Sequence, residues 1–194
     1  MAGIEIIKQL REETGVSPVE IKKALQEAGD DIEKAKELLR KWGMKLAGKK
    51  VGKEARDGVI DFYIHPNLKT GVLLDIRCET DFVAKSPNFK SLAHEICLQI
   101  AASKPLYVSE KDIPQEFLDG ETKIYMEQAA GSGKPENIVK QMVEGKLTKY
   151  KESICLLSQV WIKDDSKTIK NLIEETVSKV GENIEIKKFA RFEI

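Results

Sequence analysis

The sequence predicts an α+β fold, with an N-terminal three-helix module joined to a core of a small antiparallel sheet packed with helices. Three observations carry that prediction. Residues 1–43 place apolar side chains at helical spacing between well-formed caps. Residues 58–80 switch to alternating apolar and polar side chains. NIEIKKFARFEI at the C-terminus alternates again after a long helical stretch. Strands that come from both ends of one unit, with helices between them, predict a sheet of about three strands covered on one side by helices.

The first helix carries Ile4, Ile7 and Leu10 and ends at Thr14-Gly15, where glycine takes the left-handed cap conformation. Ser17, Pro18 and Glu20 open the second helix as a capping box, with Pro18 in the first position, where its missing N–H costs nothing. That helix turns Ile21, Ala24 and Leu25 inward and ends at Gly29. Asp30 or Asp31 caps a third helix, with Ile32, Ala35, Leu38, Leu39 and Trp42 on one stripe and a stop at Gly43. So small a bundle buries little area, so its stripe is also a candidate docking face. From Lys41 to Arg56 the chain has six basic residues against one acidic and three glycines, and reads as a basic linker or a short solvated helix.

In GVIDFYIHP, Ile60, Phe62 and Ile64 alternate with Asp61, Tyr63 and His65. In GVLLDIRCET, Leu74, Ile76 and Cys78 alternate with Asp75, Arg77 and Glu79. This predicts an antiparallel hairpin whose two strands turn those apolar residues toward one core. After Ser86-Pro87 comes a helix with Phe89, Leu92, Ala93, Ile96, Cys97, Ile100 and Ala101 on one face. Further helices are expected near 114–130 and 135–146, then a mixed apolar run, a helix through Ile169, Leu172, Ile173 and Val177, and the terminal strand.

Most candidate chemistry fails on spacing. The GSGKP run at 131–135 lacks the upstream glycine and the Ser or Thr after lysine that a phosphate loop needs, and reads as a helix-breaking turn. His94-Glu95 is followed by Leu98, where a zinc motif requires a second histidine. Cys78, Cys97 and Cys155 form no CxxC pair and suit a reducing compartment, the cytoplasm. Thirty-two basic and thirty-two acidic residues cancel, which argues against nucleic acid or a membrane surface as the main partner. No run approaches the roughly 20 apolar residues that span a bilayer, so neither export nor a membrane span is expected. With two histidines and no nucleophile–base arrangement, the chain is expected to act by binding, without a cofactor.

Three blocks point further: LREETGVSPVEIKKALQEAGDDIEKAKELLRKWG at 10–43, CETDFVAKSPNF at 78–89, and KPENIVKQMVEGKLTKY with the later GENIEIKKFARFE. In this order they resemble translation elongation factor Ts, the guanine-nucleotide exchange factor of elongation factor Tu. The chain looks like the short type, with a single core. It departs from the family's small-residue stretch after Thr-Gly, where it has Val16-Ser17-Pro18.

The resemblance implies a ubiquitin-associated-like docking module at 1–45, a basic linker at 46–57 and an exchange and dimerisation core at 58–194. It implies elongation factor Tu, GDP-bound and nucleotide-free, as partner, and a homodimer of the factor. It assigns partner binding and magnesium displacement to Thr80, Asp81, Phe82 and Val83, with Phe82 as the wedge, and partner docking to the module through Lys8, Arg11 and Lys22. A plain adaptor, its three-helix module binding a peptide or ubiquitin-like partner, is the rival reading. A Phe82 ring folded back into its own core would remove the wedge.

Overall fold

The computed structural model describes residues 3–50, 52–130 and 135–194. Most of the GSGKP turn, residues 131–134, lies outside them. The module consists of α1 (Ile4–Thr14), α2 (Pro18–Glu27) and α3 (Ile32–Lys50). Its ends are set by local chemistry. Gly15 sits at φ 67° and returns its amide to the Arg11 carbonyl at 2.9 Å. Ser17 Oγ accepts the Glu20 amide at 3.3 Å, and Asp31 Oδ1 accepts the Lys34 amide at 3.1 Å. Leu10, Ile21, Ala24, Leu25, Ala35 and Leu39 form the module's own core.

The third helix does not stop at Gly43; it runs on to Lys50. Gly43 serves close approach instead of termination. A Cβ built there would lie 2.9 Å from Ser178 Oγ, so the bare backbone lets α3 pack directly on a helix of the core. The basic segment therefore begins as helix. Residues 53–55 are tied down, because the Lys53 carbonyl accepts Asn183 Nδ2 at 2.7 Å and Ala55 is buried.

The core continues in the order β1 (Asp57–Ile64), β2 (Thr70–Cys78), α4 (Asp81–Ala84), α5 (Pro87–Ser103), α6 (Gln115–Ala130), α7 (Glu136–Ile154), β3 (Val160–Trp161), β4 (Asp164–Thr168), α8 (Ile169–Val180) and β5 (Ile184–Glu193). The main sheet has the order β1-β2-β5 and is antiparallel throughout, as expected for a hairpin joined by a distant strand. Val72, Leu74, Ile76 and Cys78 of β2 pack with Phe89, Ile96 and Ile100 of α5 and with Ile169 and Val177 of α8.

β1 reverses the expected phase. Ile60, Phe62 and Ile64 point to solvent, Phe62 at 60% exposure, while Val59 and Tyr63 pack on the core. Register explains this: residues directly opposite in an antiparallel pair share a face, and inward Val72 and Ile76 stand opposite Tyr63 and Val59. Phe62 is opposite Leu73, itself half exposed. On β5, Ala190 stands opposite Leu73 and Phe192 opposite Gly71, so Phe192 continues the outer patch.

Two further elements differ from expectation. α7 continues past residue 146 to Ile154, because Tyr150 and Ile154 pack with Tyr107, Phe117 and Ile113. The mixed apolar run after it contains the small β3–β4 hairpin, for which the sequence pattern carries no clear alternation.

Candidate functional site

The end of β2 delivers the chain to a single helical turn. Thr80 is extended (φ −132°, ψ 155°) and caps α4, its hydroxyl accepting the Val83 amide at 3.4 Å. The Thr80 carbonyl accepts the Ala84 amide at 3.2 Å, and the Asp81 carbonyl accepts the Lys85 amide at 3.1 Å. So the connection after β2 is one turn of α-helix. A free turn of this length would not persist in water. It holds because its underside is anchored: Val83 and Ala84 are buried in the main core.

That anchoring decides where Phe82 points. Successive residues on an α-helix are turned by about 100°, so burying positions 83 and 84 drives position 82 outward. Phe82 is 82% exposed. Asp81, also outward, is paired with Lys85 at 2.6 Å, and the lysine's hydrogen bond holds its carboxyl below the usual range. The ring thus stands beside an already paired charge, on a mount fixed from below.

The mount is tied sideways by residues of the CETDF and GENI blocks to which the resemblance assigned no role. The β2–β5 ladder ends at Cys78 opposite Ile184. Beyond it, Gly181 (φ 75°) turns the chain out of α8, and side chains continue the pairing that the backbone has left. Glu182 accepts the Thr80 amide at 3.0 Å and the Thr80 hydroxyl at 2.7 Å. Glu79 reciprocates by accepting the Asn183 amide at 2.8 Å, a bond that lowers its carboxyl pKa, with Lys53 at 3.5 Å adding to the effect. Cys78 donates its S–H to the Thr80 carbonyl at 3.2 Å. A signal for this lay in the sequence: once the terminal strand pairs with the second strand, the residues following Cys78 must meet the GENI residues.

Of the residues expected to contact a partner, Thr80, Asp81, Phe82 and Val83 lie on one turn, with Val83 facing inward. Lys8 and Arg11 are exposed on α1, and Lys22 is exposed on α2. A cleft of about 290 Å³ lies beside the contact between the module and α8; of the charged residues that line it, Lys36 pairs with Glu13 at 2.8 Å and Lys167 with Glu175 at 3.0 Å. All three cysteines are buried free thiols. Burial pushes Cys78 and Cys155 up to about 11 and Cys97 to about 12, so each is protonated at neutral pH and a poor nucleophile.

Comparison with known proteins agrees with this architecture. The family model described as Elongation factor TS matches residues 5–194. An elongation factor Ts of Thermotoga petrophila is 50% identical over 192 residues, covering 99% of this chain and 96% of its own length. One from Carboxydothermus hydrogenoformans is 49% identical over 194 residues, covering all of this chain and 89% of its own. One from a Thermoanaerobacter species is 47% identical over 193 residues, covering 100% and 95%. With a match over nearly its whole length and relatives near half identity, the chain belongs to the elongation factor Ts family.

Proposed function

We propose that the protein is the guanine-nucleotide exchange factor of elongation factor Tu: it binds the GDP-bound partner, promotes GDP release and leaves the site open for GTP. The observation that carries this reading is the outward Phe82 ring on an anchored turn. Exchange requires no covalent chemistry. A factor that binds the empty partner more tightly than the GDP-bound one must, by linkage, weaken GDP equally, at about 1.4 kcal/mol for each tenfold.

Phe82 supplies a source for that coupling. An aromatic side chain entering a pocket buries about 150–250 Å², which at ~25 cal/mol/Å² is of order 4–6 kcal/mol before costs. Because the ring is exposed beforehand, entry does not first require extracting it from its own core. In the proposed mechanism the Thr80–Val83 turn enters a crevice of the partner's nucleotide domain and displaces the groups that hold magnesium. Losing the ion removes the largest positive charge at the diphosphate and loosens GDP. Asp81 hydrogen-bonds beside the ring, Val83 anchors it, and Lys8, Arg11 and Lys22 provide docking contacts on the module.

The outer sheet face supports a homodimer as part of the same reading. Ile60, Phe62, Ile64, Leu73 and Phe192 form one apolar patch across three strands. Next to it, Arg77 is partly exposed and holds buried Asp75, with Nη2 at 3.0 Å from Oδ2. A two-fold copy can match apolar to apolar on a single surface. The direct test of the exchange reading is release of fluorescently labelled GDP from elongation factor Tu. Acceleration by catalytic amounts of the protein is expected, and an unchanged rate at stoichiometric amounts would contradict it.

A further inference from the structure

We propose that Glu182 is the positioning residue of Phe82: across 102 residues of sequence, it sets the geometry of the turn that presents the ring. This rests on the exchange-factor reading. Glu182 hydrogen-bonds the amide and hydroxyl of Thr80 and acts on the ring through that residue.

The argument begins with what α4 lacks. Four residues provide too few internal hydrogen bonds to define a helix, and the ladder that could have steadied its N-terminal side ends at Cys78. Each polar group of Thr80 nevertheless has a partner. Its amide and its hydroxyl proton both go to the Glu182 carboxylate, and its carbonyl receives Cys78 Sγ–H and the Ala84 amide. The two bonds to Glu182 use both carboxylate oxygens and are charge-assisted.

The hydroxyl bond has a further consequence. A threonine hydroxyl has one proton and two lone pairs. Glu182 takes the proton, which turns a lone pair toward the Val83 amide and makes Thr80 a directed cap. The turn is therefore oriented before any partner arrives, and the partner is spared the entropy of ordering it. Glu182 itself is held by its surroundings: Gly181 caps α8 on one side, and on the other Asn183 binds both Glu79 and the Lys53 carbonyl.

The test combines a structural and a functional readout in the full-length protein. In Glu182→Ala, amide hydrogen exchange at Thr80 and Val83 is expected to accelerate at least about tenfold, and GDP release from elongation factor Tu to slow about tenfold. Glu182→Gln, whose amide oxygen still accepts the Thr80 N–H, is expected to recover most of both. Because Glu182 acts through the ring, adding Glu182→Ala to Phe82→Ala is expected to cost no further release rate. Unchanged protection of Thr80 and Val83 in Glu182→Ala would overturn the proposal. So would lost protection with undiminished release, or additive losses in the double variant. Failure of the exchange reading is separately visible, as absence of acceleration by the wild-type protein.

Discussion

Phe82 and Phe62 are both phenylalanines exposed to solvent, but their surroundings differ in a way that separates two tasks. Phe82 stands alone on one turn of helix, with buried Val83 and Ala84 beneath it and a carboxylate clamp at its side. Phe62 lies in a flat patch, flanked by Ile60, Ile64 and Leu73 on a three-stranded sheet. A lone ring on a rigid mount fits a narrow crevice and makes its contribution at one point. A broad face distributes contact over several side chains and fits another broad face. Exposure alone therefore does not define a role; what the exposed group is mounted on does.

The largest change that would separate the two rings is in assembly. Phe62→Lys sets a charge in the middle of the apolar patch and is expected to weaken the proposed homodimer by about 2 kcal/mol or more, on the order of thirtyfold, by sedimentation. Thermal stability should stay close to wild type, since the side chain is exposed. A wild-type chain that sediments as a monomer at micromolar concentration would remove the sheet face from the dimer reading.

A smaller effect is expected at the mount. Thr80→Val keeps the shape but deletes the hydroxyl that caps α4 and bonds Glu182, and is expected to cost about 1–2 kcal/mol in denaturant unfolding. An unaltered midpoint would mean that the turn is held by Val83 and Ala84 alone.

The smallest effect is electrostatic. Glu79 is held below its ordinary 4.5 chiefly by the Asn183 amide, so its folded-state pKa is depressed. Its contribution to stability is therefore fully present above 4.5 and is lost as pH falls through the lower folded value. An NMR titration should place the Glu79 midpoint below 4.5, with the Asn183 amide shifting at the same midpoint. A midpoint at or above the ordinary value would break this half of the tether.

How much of this could be read from the sequence depended on how local the cause was. The ends of α1 and α2 were legible because Gly15, Ser17 and Pro18 act within a few residues of themselves. Gly43 misled because a glycine that ends a helix and one that admits a neighbouring helix look alike until Ser178 is in place. β1 misled because both of its phases carry apolar side chains, so alternation identified the strand but not its buried face; the register with β2 decides that. The identity of the Thr80–Val83 segment was legible, but its helical turn was not, because the group that completes its cap, Glu182, arrives from the far end of the chain.

If the outward ring at position 82 drives nucleotide release, its removal must slow that release without disturbing the fold. Stopped-flow release of labelled GDP from elongation factor Tu, at saturating concentrations of wild type, Phe82→Ala and Phe62→Lys, measures this. Phe82→Ala is expected to slow release by about tenfold or more with an unchanged melting temperature, while Phe62→Lys affects release less. Release by Phe82→Ala at the wild-type rate would contradict the role given to the ring.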